Sequence, residues 1–139
     1  MSVFDTIRIA ASGLTAERLR MDVAASNLAN AQSTRTNGGA AGQPYQEEAV
    51  VFQAQQMGPM AAAQGVSATA IVQPSKPNLR VYDPNNPDAD QTGFVTYPNV
   101  DVATEMTDMM GAARSYQVNA TVAQAAKQQA LDALDLGRG

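Results

Sequence analysis

Apolar residues fall in two regular runs that flank an irregular stretch. Steps of three and four from Phe4 reach Ile7, Ala11, Leu14, Arg18, Met21, Ala25 and Leu28, and seven of these eight positions are apolar. The same stepping near the other end gives Val102, Met106, Met109, Ala113, Tyr116, Ala120, Ala123, Lys127, Ala130 and Leu134, where nine of ten are apolar. A sustained 3-4 repeat sets its side chains on one narrow stripe of a helix, the seam pattern of a coiled coil. Two long helices are predicted, of roughly 40 Å and 55 Å at about 1.5 Å per residue.

Proline and glycine mark what lies between. No proline occurs from Ser2 to Gln32 or from Asn99 to Leu136, and all seven prolines fall in the middle. The organisation expected is an N-terminal stem helix in 1–32, a connector and β-rich insertion in 33–98, and a C-terminal stem helix in 99–139. The fold class is α+β: two long terminal helices forming a coiled-coil-like stem, with a small β-rich, loop-rich insertion. Asp101 is a candidate N-cap of the second helix and Gly137 its stop. The first helix ends less sharply, where Asn27, Asn30, Gln32, Ser33 and Thr34 compete for backbone hydrogen bonds. Short strands are predicted in Glu48–Gln53, Gly65–Val72, Leu79–Tyr82 and Gly93–Tyr97. Residues 33–41 read as a flexible connector, and Met57–Gln64 as a loop with helical turns.

The two helices are expected to lie along each other or along neighbouring subunits, with the middle segment joining their far ends. Their stripes are rich in Ala. At ~0.8 kcal/mol per buried methylene, such a contact contributes little against the entropy of ordering the chain. Partner molecules are therefore expected to complete the burial, and the stripe residues are the candidate subunit interface. Arg18 and Lys127 interrupt the stripes, either to fix register with a partner or as simple solvent-facing breaks.

Composition narrows the function. The 139 residues carry no Cys and no His, nine Lys plus Arg and thirteen Asp plus Glu, for a formal charge of -4. Disulfides, thiolate metal sites, cysteine nucleophiles and histidine-based triads are excluded. The charge has the wrong sign for a phosphate backbone, so nucleic acid is not expected as a partner. Aromatics make up 5%, with no Trp, so a strong monomeric core is not expected. No apolar stretch approaches the ~20 residues of a membrane span. Asp5, Arg8 and Glu17 interrupt any signal-peptide pattern, so the chain is expected to stay in the cytoplasm or leave without a cleaved signal.

No constellation points to catalysis, and no cofactor, metal or small-molecule substrate is expected. Asp83–Asp90 has the oxygens for a hard cation but places Pro87 and Asp88 where a calcium loop needs a ligand and a Gly, so a Pro/Asn/Asp turn explains it better. Gly38, Gly39 and Gly42 lack the Lys-Ser/Thr of a phosphate cradle. Glu47 and Glu48 would point to opposite faces of a strand and form a solvated pair. Asn119-Ala-Thr121 has the form of a glycosylation acceptor but lies in a predicted helix.

The ends also carry a resemblance. Ala25-Ser-Asn-Leu-Ala-Asn-Ala31 resembles the signature near the start of bacterial flagellar rod and hook axial proteins. Pro98-Asn-Val-Asp-Val102, Glu105-Met106 and Arg114-Ser-Tyr-Gln-Val-Asn119 resemble the C-terminal signature of the proximal-rod branch of that family. The Leu-Asp-Leu-Gly ending at Gly137, Gly42-Gln-Pro-Tyr45, the Val-Val-Phe run at Val50 and Arg80-Val-Tyr-Asp-Pro84 fit the same branch. The resemblance implies a non-enzymatic structural subunit of the basal-body rod. Such a subunit is exported unfolded through the flagellar type III apparatus and polymerises helically in the periplasm with copies of itself and other rod subunits. Asn27 and Asn30, carried over from the signature, would bond backbone or neighbouring amides at the helix end. The other reading kept open is a secreted effector or chaperone-like module using the same amphipathic helices.

Overall fold

The computed structural model describes residues 2–35, 43–56 and 64–137. The order is α1 (Val3–Ala29), β1 (Ala49–Gln56), β2 (Gln64–Val72), β3 (Leu79–Tyr82), β4 (Phe94–Tyr97) and α2 (Val102–Leu136). Most of the 33–41 connector and of the Met57–Gln64 loop, with its expected helical turns, lie outside the described residues.

Both helices begin on side-chain caps. Ser2 and Asp5 form a reciprocal capping box, in which the Asp5 carboxylate accepts from the Ser2 N–H at 2.9 Å. Asp101 Oδ1 accepts from the Ala103 N–H at 3.0 Å, and its Oδ2 from the Thr104 hydroxyl at 2.8 Å. These bonds favour the ionised form and hold the Asp101 pKa below the usual carboxylate value. Gly137 caps the far end of α2, as expected.

The helices pack against each other along most of α1. Asn27 meets Glu105, Arg20 meets Asp108 and Gly13 meets Asn119, so they run antiparallel. The ends joined by the middle segment, Ala29 and Val102, therefore lie side by side rather than far apart. From Gly13 back to Val3 the pairing carries α2 only to about residue 129 at equal rise per residue. The last turns of α2 run past the start of α1, with Leu134 65% and Leu136 85% exposed.

The packed stripe is not the large-residue seam. It is the stripe one residue earlier on each helix, a rotation of roughly 100°. On α1 it runs through Ala10, Gly13, Glu17, Arg20, Ala24 and Asn27, and on α2 through Glu105, Asp108, Ala112, Asn119 and Ala126. Small side chains let the backbones approach closely, and the buried Ala10, Ala24, Ala112 and Ala126 all lie on this stripe. Among the described residues the buried apolar set is five alanines with Val23 and Val95, which is a thin core.

Two antiparallel hairpins fill the middle. β1 pairs β2 from Ala49 opposite Val72 to Gln56 opposite Gln64, with a bulge that leaves Thr69 unpaired and its hydroxyl donating to the Val51 carbonyl at 3.3 Å. This hairpin packs on α1, and the Val66 N–H donates to Ser12 Oγ at 3.1 Å. β3 pairs β4 from Leu79 opposite Tyr97 to Tyr82 opposite Phe94. The Tyr82 and Phe94 rings meet edge to face at 5.3 Å, and Arg80 stacks over Phe94 at 4.9 Å. Gly93 has φ +81° in the turn before β4, where a Cβ would also meet the Tyr82 ring.

Candidate assembly interface

Packing on the small-residue stripe leaves the large-residue stripe partly exposed. Of the residues expected at a subunit interface, Phe4, Ala11, Arg18 and Ala25 on α1 are exposed, as are Val102, Met106, Tyr116, Lys127 and Leu134 on α2. Ile7, Leu14, Met21, Leu28, Met109, Ala113, Ala120, Ala123 and Ala130 are half-buried. Met110, Val118, Val122 and Leu131 widen the exposed apolar surface of α2. Arg18 and Lys127 face solvent, so neither sets the register between α1 and α2; any register they fix is with another molecule.

Asn30 and Asn27 take different roles. Asn30 closes its own helix, its side-chain amide donating to the Ser26 carbonyl at 2.9 Å. Asn27 is 1% exposed and joins three distant segments. Its Nδ2 donates to the Glu48 carbonyl at 2.8 Å and to Glu105 Oε2 at 3.1 Å. Its Oδ1 accepts from the Tyr45 hydroxyl at 2.8 Å and the Glu48 N–H at 2.9 Å. Both donors and both acceptor positions of the amide are used, the condition for burying such a group without penalty.

Charge around this junction is dense. Burial pushes the Glu105 carboxyl above its usual pKa; the Asn27 hydrogen bond opposes the shift, and the nearby Glu47 and Asp108 reinforce it. Burial likewise raises the Tyr45 hydroxyl. Glu47 is not the solvated half of a pair: Lys76 Nζ bridges both its oxygens at 2.9 and 2.7 Å. Arg20 pairs Asp108 at 2.9 Å and lies 3.8 Å from Glu17.

The acidic turn serves the scaffold. Asp90 Oδ1 accepts from the Thr92 hydroxyl and N–H and from the Phe94 N–H, which hold its pKa down at about 2. Asp88 accepts from the Thr34 hydroxyl at 2.5 Å and from Arg35, tying the turn to the chain just after α1. Among the described residues no group of three or more acidic side chains converges as a metal site, and no helix is long and apolar enough to cross a membrane. Asn119 lies within α2 and packs against Gly13.

Stepping by threes and fours missed the internal stripe and the roles of Tyr45 and Glu105. A signal for the stripe was present, because Glu105, Ala112, Asn119 and Ala126 recur every seven residues.

Residues 7–35 match the family model described as flagella basal body rod protein, and residues 91–136 match that described as flagellar basal body rod FlgEFG protein C-terminal. The chain is 45% identical over 138 residues to the flagellar basal-body rod protein FlgC of Escherichia coli O6:H1, covering 99% of this chain and 100% of that one. It is 38% identical over 152 residues to FlgC of Bacillus subtilis, with the same coverage. To FlgC of Borreliella burgdorferi it is 34% identical over 155 residues, covering both chains fully. On these matches and on the shared end-to-end extent, the chain belongs to the FlgC family of flagellar basal-body rod proteins.

Proposed function

We propose that this chain, a structural subunit of the flagellar basal-body rod, polymerises helically through the outward stripes of its paired helices to build a shaft that transmits torque. One observation carries the reading. The helix pair closes on small residues and leaves Phe4, Met106, Met110, Leu131 and Leu134 exposed along a single stem. Burying such a row against several neighbours contributes roughly 25 cal/mol per Å² of apolar surface, which the alanine core inside one chain does not supply. Contacts of this kind are heterologous and need not close, so they generate a helical array.

The neighbours are copies of this chain and other rod subunits, and no catalysis is involved. The chain is delivered unfolded by the flagellar type III export apparatus and folds as it assembles in the periplasm, where its thin core is completed by its neighbours. Residues 1–32 and 99–139 form the inner stem and 33–98 the outward insertion. The test is polymerisation of the purified chain with and without Met106→Glu plus Leu134→Glu. Loss of polymers with retained helix pairing supports the reading; unchanged polymers defeat it.

A further inference from the structure

Asn27 is the one fully buried residue of the expected interface set, yet it faces inward to its own chain. Its four hydrogen bonds span separations of 18 to 78 residues and run from α1 to the segment entering β1 and to the first turn of α2. Half of the other positions on the internal stripe are Ala or Gly, and on α2 Ala112 and Ala126 flank Asn119 at one heptad on either side. Glu105, Ala112, Asn119 and Ala126 are spaced by seven, so a slip of one heptad, about 10 Å along α2, would set Ala112 or Ala126 against Gly13 in place of Asn119 and take Glu105 away from Asn27. In helix pairs, a single buried amide excludes such slips, because every other register leaves it without partners.

We propose that Asn27 is the register pin of the stem, selecting one alignment of α1 and α2 by pairing with Glu105 and the Tyr45–Glu48 segment together. The pin deepens the assembly reading and rests on it, since the alignment of the two helices sets how far the exposed end of α2, with Leu134 and Leu136, projects past the start of α1. A slipped pair leaves the Asn27 amide buried without its acceptors and Glu105 without its donor, and both groups are costly to desolvate unpaired. The salt bridge of Arg20 and Asp108 is half-exposed and tolerates movement, so it selects register weakly.

The pin has a proton-dependent counterpart in Asn27→Asp. An Asp there faces Glu105 on α2 with Asp108 beyond it, and Tyr45, Glu47 and Glu48 on the segment before β1. Lys76, bound to Glu47, and Arg20, bound to Asp108, are the nearby cations. Two carboxylates at this position share one proton or separate, so the variant holds register only at low pH.

The cysteine-free chain allows a direct test. A Cβ on Gly13 lies 3.0 Å from Asn119 Cγ, so Gly13→Cys with Asn119→Cys places two thiols within disulfide reach in the observed register. Gly13→Cys with Ala112→Cys or Ala126→Cys reports a slip of one heptad. With Asn27 intact, the native disulfide should exceed the slipped ones by at least about tenfold, the ratio set by one charge-assisted hydrogen bond. Asn27→Ala should bring them to within a few-fold. Asn27→Asp should do so at pH 7 and regain the native disulfide near pH 5. Adding Glu105→Gln to Asn27→Asp gives the new carboxylate at position 27 a donor from α2 with the polarity reversed, although the Glu48 carbonyl stays without one, and should recover part of the native register at pH 7.

Retention of the tenfold preference in Asn27→Ala overturns the pin alone, as does failure of the Asn27→Asp, Glu105→Gln combination to recover any of what Asn27→Asp loses. Loss of every disulfide in Asn27→Ala supports the pin if that combination recovers the native one, and overturns it otherwise. Absence of the native disulfide with Asn27 intact overturns the paired stem of the assembly reading as well.

Discussion

Gly13 of α1 abuts Asn119 of α2 so closely that a Cβ at Gly13 would stand 2.6 Å from the Asn119 side-chain nitrogen. The nearest atoms belong to the end of a side chain rather than to backbone, so a methyl group displaces an amide and not a helix. Ala also gains about 1 kcal/mol of helix propensity over Gly. Gly13→Ala should therefore be near neutral in thermal melting, while Gly13→Leu, which must part the helices, should cost about 1–3 kcal/mol.

Ala112 is fully enclosed on the same inner stripe. Ala112→Leu should lower stability by about 1–3 kcal/mol through overpacking. Phe4→Glu, at a position 71% exposed on the outer stripe, should leave the fold within about 0.5 kcal/mol and act on polymer formation alone. Circular dichroism melts combined with sedimentation separate the two effects.

The buried carboxyl of Glu105 sets a slope of stability against pH. Its folded pKa is raised above the unfolded value, so the folded chain holds the extra proton between the two. The penalty of the buried charge is fully present above the folded pKa and disappears as pH falls through it toward the unfolded value of about 4.5. Glu105→Gln should flatten that part of the curve and raise stability at pH 7, on the order of 1 kcal/mol, with Asn27 still bonded to a side-chain oxygen. Denaturant melts from pH 4 to 8 read this directly.

The opposite sign holds at Asp90, whose folded pKa is depressed to about 2. Its contribution is present above the ordinary Asp value and is lost as pH falls through the depressed one. Asp90→Asn should speed amide exchange at Thr92 and Phe94 several-fold and leave the helix pair unchanged, as hydrogen exchange by NMR would show.

Arg18 and Lys127 face away from the α1–α2 contact. Replacing both with Leu should leave the antiparallel pairing and melting intact within about 0.5 kcal/mol. An altered polymer morphology in the same variant would assign them to register between molecules, and an unchanged morphology would make them simple solvated breaks. Electron microscopy of assembled chains distinguishes the two.

The helices and their caps were legible because periodicity, Asp101 and Gly137 act locally, and the strands because β-branched runs sit between turn residues. The choice of packed face was not legible by apolar counting. Large residues mark the stripe that is most costly to leave in water, whereas Ala10, Gly13, Ala24, Ala112 and Ala126 mark the stripe along which two helices come closest. Asn27 was singled out from its motif, but its partners lie up to 78 residues away, and no local rule reports them. The role of Glu48 rests on its backbone groups, which a side-chain reading cannot anticipate.

The unequal lengths of α1 and α2 leave a tongue of α2 at one extremity and the neighbouring ends Ala29 and Val102 at the other. A body so built has a front and a back. In the proposed polymer each tongue would point the same way down the column, so the growing tip would differ chemically from the base, and a newcomer would meet a surface unlike the one it will itself present to the next.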